Sequence, residues 1–265
     1  MTELDRRRLL AAGALAGGGM LLAPAAASAH GTLASAAEIN GFGTFYELDA
    51  TPRLRTFSYH PTFYGRLEVW SRFWLDNANA SWSRSLRYVT YGVHVDRGSE
   101  AHDQGRGFDL SRIYAGGTTE AQLAFWGRYD LWSDGTRYTD EQIVRHRRLY
   151  WATAASLHYH FRHVLCYPYN TAHHNHIHVD NVLSGGGTST FDTTSTTQVQ
   201  HVQSSLRYVW DTRVSIDGVW GPQTDAASAA VVTRIGRAGS LTSSQDNWLA
   251  YNRATFRRGC GRQSY

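Results

Sequence analysis

Two histidine motifs far apart in the chain constrain its fold most, because their side chains carry the same chemistry and must meet for that chemistry to work. The first is His102-x-x-Gly105-x-x-x-Asp109 within "AHDQGRGFDL". The second, "TAHHNHIHVDN", holds His173, His174, His176 and His178. Imidazole nitrogen and carboxylate oxygen are two of the ligand types that zinc accepts, and a catalytic site takes three protein ligands. His102 and Asp109 supply two, so the second motif must come back to them with the third. Gly105 and Gly107 permit close backbone approach. His176 and His178 flank Ile177, and alternate side chains of an extended strand share a face, so both rings can point at one site.

The pattern between and around the motifs is mixed. Leu67, Trp70, Phe73 and Trp74 recur at helical spacing, "SLRYVTYGVHV" reads as a strand, and Asp109 begins a strand-like "FDLSRI". Thr139 with Gln142 three places on is a capping box that opens a long helix, with Ile143, Leu149, Ala152, Leu157 and Phe161 on its buried side and an end near His163. "VLCY" and "HIHVD" read as further strands. Residues 183–197, "LSGGGTSTFDTTSTT", are Gly/Ser/Thr-rich and read as a flexible linker. Beyond them Val199, Val202, Leu206 and Val209 mark an amphipathic helix, Asp217-Gly218 a turn, and Gly221-Pro222 the start of another helix. The predicted divisions are therefore 1–29, 30–182, 183–197 and 198–265.

The beginning of the chain bears on where it works. Asp5-Arg6-Arg7-Arg8-Leu9-Leu10 runs into an uncharged Ala/Gly/Leu stretch that closes on Ala27-Ser28-Ala29, a small-x-small cleavage pattern. This reads as an export signal of twin-arginine type, with a secreted or wall-associated mature chain starting at His30 and no span left in it. The formal charge of +4 falls to about +3 without the signal, too weak a basic balance for a nucleic-acid partner. The chain contains no lysine, which excludes Ser-Lys chemistry and every other lysine mechanism. Cys166 and Cys260 could pair outside the cytoplasm or stay free, and neither sits in a thiol-peptidase signature.

Taken together, the two motifs resemble the zinc peptidases that share the fold of D-Ala-D-Ala carboxypeptidases and hedgehog domains, and among them the bacterial extensin-like branch, with its S-x-H-x-x-G-x-A-x-D and distant H-x-H. The resemblance implies an α+β domain with an antiparallel sheet and flanking helices. It places His102, Asp109 and His178 on the Zn2+ ligands and His176 on the histidine that assists catalysis. It covers roughly residues 60–181 and departs from the family in three places. Glu100 stands at the serine position, Gly107 replaces the alanine, and the glutamate base that several members carry ahead of the last zinc histidine is absent, leaving His173, His174 or His176 to take the proton. Val202-Gln203, Leu206 and "IDGVWGPQT" resemble a small all-α peptidoglycan-binding module of about 40 residues.

The function implied is that of an exported, monomeric zinc peptidase acting on peptidoglycan stem peptides or crossbridges. Three ligands leave one coordination position for water, and a neutral histidine takes its proton. Arg97 is the candidate for stabilising the oxyanion, a plain surface role being its alternative. A non-catalytic wall-binding protein with a structural zinc is the competing reading. A third is copper chelation by an N-terminal His30, although the rest of the chain does not resemble such a monooxygenase. His94, His146, His158, His160, His163 and His201 are read as solvated or hydrogen-bonded residues outside the site.

Overall fold

A computed structural model describes residues 32–96, 99–182 and 187–265. The predicted signal segment, His30, Arg97 and residues 183–186 lie outside the described residues. The strands are β1 (Ala34–Ala36), β2 (Glu38–Ile39), β3 (Phe42–Tyr46), β4 (Phe57–Tyr59), β5 (Leu86–Thr90), β6 (Gly107–Ala115), β7 (Leu123–Trp126), β8 (His163–Leu165) and β9 (Ile177–Asp180). The helices are α1 (Pro61–Asn77), α2 (Glu100–Asp103), α3 (Tyr129–Trp132), α4 (Asp140–His160), α5 (Thr196–Tyr208), α6 (Pro222–Arg234) and α7 (Gln245–Gly259). The fold is mixed α/β, and among the described residues no helix is long and apolar enough to cross a membrane.

The main sheet runs β2-β3-β5-β6-β9-β8, with β7 paired to the far half of β6 and β1-β4 forming a separate ribbon. Its pairs are antiparallel except β3 with β5, which is parallel, so the sheet is mixed rather than purely antiparallel as predicted. Strict alternation on the three strands nearest the motifs decides what each face carries. Phe108, Leu110, Val164, Ile177 and Val179 point to one side and are buried. Gly107, Asp109, His163, Leu165, His178 and Asp180 belong to the other.

Helix α1 starts at Pro61, whose missing N–H costs nothing at that position, and His60 accepts the Thr62 N–H at 3.2 Å. Leu67, Trp70 and Trp74 form its buried stripe, as their spacing predicts. In α4 the capping box is present: Gln142 N–H donates to the Thr139 hydroxyl at 3.3 Å, and Thr139 N–H donates to the Gln142 side chain at 2.9 Å. The helix stops at His160, short of the predicted end, because β8 takes His163 as the partner of Asp180 on β9.

The expectation for the C-terminal third differs from the structure. α5 appears where Val199, Val202 and Leu206 place it, and Gly218 turns with φ +73° ahead of Pro222. Yet α5 and α7 lie along α4, and Gly31–Tyr265 form one compact unit. The contact is close enough that a Cβ on Gly259 would stand 2.5 Å from the Ala152 methyl. The described part of the predicted linker is also packed. Ser189 is buried and accepts the Trp248 indole N–H at 2.6 Å, while Phe191 stacks on Trp248 at 4.9 Å between centroids. Composition alone could not show that one serine and one phenylalanine of this stretch have buried partners. α7 itself lies in a tail whose role the sequence pattern leaves open.

Candidate metal centre

The register of the sheet assembles the site. Asp109 is the cross-strand partner of His178, so their side chains rise from the same face as an adjacent pair. His102 comes from α2, and Gly107, the partner of Asp180, has no side chain. That vacancy is where the His102 ring lies: a Cβ on Gly107 would meet three ring atoms at 3.0–3.1 Å. Gly105 is required for a different reason. Its φ is +65°, and a Cβ there would meet the His60 amide nitrogen at 3.0 Å. The two glycines between His102 and Asp109 therefore do separate jobs, one reversing the chain and the other admitting an imidazole.

Three donor atoms converge. His102 Nε2 stands 3.2 Å from Asp109 Oδ1 and 3.2 Å from His178 Nδ1, and His178 Nδ1 is 2.8 Å from the same carboxylate oxygen. A tetrahedral ion with ligands at ~2.0–2.2 Å has edges of roughly 3.3–3.6 Å, so a small spreading of this triangle seats one. The outward atoms have acceptors that suit the neutral tautomer a ligating histidine needs. His102 Nδ1 donates to the Val93 carbonyl, which in the neutral ring leaves a lone pair on Nε2. His178 Nε2 donates to Asp180 Oδ2 at 3.3 Å, which in the neutral ring leaves a lone pair on Nδ1. In the unloaded triad the inward nitrogens donate to Asp109; once a cation displaces those protons, two lone pairs and a carboxylate oxygen face one point. The residues fit a divalent cation, and partners on the second ring nitrogen are the usual way a ligating histidine is fixed.

Electrostatics of the unloaded triad agree. Burial opposes the charged form of Asp109, but hydrogen bonds from His102 and His178 outweigh it and hold the carboxyl far below its ordinary range. Burial likewise opposes protonation of His178, yet Asp109 and Asp180 raise its pKa to about 9. An excess positive charge is therefore welcome here, and a metal supplies it permanently.

Beside the triad lies a cavity of about 520 Å³, lined by Glu100, His163, His173 and His176 as well as the triad. His176 precedes β9 rather than lying in it, and its Nε2 sits 3.4 Å from Asp109 Oδ1 while Nδ1 faces Asn175 Oδ1. His102, Asp109 and His178 form one group of ligand atoms that all lie within 4.8 Å of one another, and His176 is not part of it. His173 ring lies 5.2 Å from that of His176. Burial lowers the pKa of His176, and burial together with the neighbouring His176 and His178 lowers that of His173 to about 4.

Three titratable cavity residues lie outside the expected set. Asp180 and His163 form a second donor group with His178, and Glu100 puts a carboxylate at the rim. The "HIHVD" alternation does place Asp180 on the face of His178, so that signal was available. His163 had none, being an ordinary histidine after a helix. Arg97, the expected oxyanion partner, lies outside the described residues. Cys166 and Cys260 are buried, free thiols, and burial pushes Cys166 up to about 12, which removes it as a nucleophile. No family model matches the chain, and comparison with curated proteins and with solved structures gives no match either.

Proposed function

We propose that the protein is an exported zinc peptidase that hydrolyses peptide bonds of peptidoglycan. The observation that carries this reading is the triangle of His102, Asp109 and His178, with its ligand atoms converging beside an open cavity. Bound zinc supplies a Lewis acid that polarises a carbonyl and acidifies water. The chain's own residues do the rest. Asp109, His102 and His178 hold the ion, with Val93 and Asp180 fixing the two ring orientations. His176 offers a neutral Nε2 at the edge of the triangle, where it can take a proton from water and return it to the leaving amine. Asn175 holds the other nitrogen of that ring, so the acceptor points into the site. Substrate choice rests on the sequence resemblance to wall peptidases.

One observation favours a second reading. His176 Nε2, already 3.4 Å from Asp109 Oδ1, would close the coordination shell after a short ring movement and make the zinc structural. Purified peptidoglycan incubated with the protein, with and without chelator, separates the two by mass spectrometry. Chelator-sensitive release of peptides supports the peptidase; intact peptidoglycan in the presence of stoichiometric zinc refutes it.

A further inference from the structure

A cleft of about 450 Å³ opens between α4 and α5 and shares no lining residue with the metal cavity. Arg147 comes from α4, Arg207 and Tyr208 from α5, and Asp211 and Arg213 from the turn that follows. We propose that this cleft binds a polyphosphate, a chain of phosphoanhydride-linked phosphates without aromatic bases.

The charges in the cleft are unbalanced. Among the described residues no ion pair involves Arg147, Arg207 or Arg213, and the Asp211 carboxylate is engaged by Arg258 at 3.0 Å. Arg147 Nε is buried without a hydrogen-bond partner. Three guanidiniums held together without acceptors repel one another, and a bound oxyanion relieves that repulsion while matching their forked donors. Two of them are also held in place. The Arg147 and Arg207 guanidiniums lie 4.8 and 5.8 Å from the Tyr208 ring centroid. Arg258, which pairs with Asp211 of the cleft, also lines a second pocket of about 290 Å³ with Arg148 and Arg262. Arginines lining two such pockets exceed what one anion requires and suit a repeating one. The chain as a whole has a formal charge of only +4, so the concentration of arginine is local.

The aromatic geometry argues against nucleic acid. Single strands bind by stacking bases on exposed rings, and two guanidiniums already lie over the only ring of this cleft. Val144 is its only large apolar side chain exposed to solvent, too little for insertion into a lipid surface.

The test is titration of the full chain with long-chain inorganic polyphosphate at several salt concentrations. Neutralising three phosphates gives a salt slope of about 2 in the logarithmic plot. In R147Q/R207Q/R213Q the affinity should fall roughly tenfold or more and the slope should drop by about 2. Arg147 packs on Tyr208, so R207Q/R213Q, which alters exposed side chains only, guards against misfolding and should still lose at least about threefold. The control R53Q/R84Q/R137Q removes equal charge elsewhere and should leave affinity within about threefold. An unchanged affinity in both cleft variants overturns the site, as does an equal loss in the control. Tighter binding of oligothymidine than of polyphosphate overturns the choice of ligand.

Discussion

Removing the Asp180 carboxylate tests the metal centre through a residue that does not touch the metal. In Asp180→Ala the His178 Nε2–H loses its acceptor at 3.3 Å, and the His163 ring loses its partner on the same oxygen. Nothing then compels His178 to carry its proton on Nε2, and the ring is free to turn its Nδ1 away from Asp109. Loss of such an outer partner costs ~10–100-fold in metal affinity, about 1.4–2.7 kcal/mol. The upper end is expected, because Asp180 is only 3% exposed and water cannot replace it. Zinc competition against a chromophoric chelator measures the affinity, and circular dichroism of the metal-free protein checks that the fold survives losing the 3.1 Å bond from Val182 N–H. Asp180→Asn, which keeps one acceptor oxygen, should fall between. His163→Ala leaves Asp180 free to serve His178 and should change affinity less than about threefold. Wild-type affinity in Asp180→Ala refutes the reasoning. A loss in His163→Ala equal to that of Asp180→Ala would instead make His163 a ligand, with the ion in the group of His163, His178 and Asp180.

Removing His176 should separate binding from chemistry, with zinc near one per chain and turnover lower by ~10²–10⁴-fold; a variant that loses its zinc makes His176 a ligand. His173→Ala should lose less. Because burial lowers the His176 pKa from its ordinary value of about 6.5, the acidic limb of the rate profile should lie below that value; a limb above it excludes His176. In Gly107→Ala the new methyl meets the His102 ring at 3.0 Å, and zinc affinity should drop while the fold persists; unchanged affinity would show the ring is not confined there. Burial lowers the pKa of His201 to about 4, so the unfolded chain takes up this proton first. Stability is then complete above the unfolded value of about 6.5 and is lost as pH falls towards 4, about 2 kcal/mol for this group between pH 7 and pH 5. Urea melts of chelator-treated protein read this directly, and equal midpoints at both pH values contradict it.

What the amino-acid sequence determines alone is what depends on neighbours a few positions away. The capping box at Thr139, the proline starts of α1 and α6, the apolar stripe of α1 and the alternation of "HIHVD" are local patterns with a period, and each element appears where its pattern lies. The pairing of His102 with Asp109 is legible for the same reason, since it spans one turn and one strand start, whereas local pattern leaves four histidines as the third member and the family resemblance selects His178. Only the tertiary structure decides which strand lies beside which. The register that sets Asp109 against His178, the recruitment of His163 to Asp180, the parallel β3-β5 pair, and the seating of Ser189 and Phe191 under α7 all depend on side chains distant in sequence. A Gly/Ser/Thr stretch has the composition of a tether, yet buried Ser189 and half-buried Phe191 against Trp248 anchor its described part to the core. Apolar area removed from water depends on what comes to cover it, and no local pattern records that.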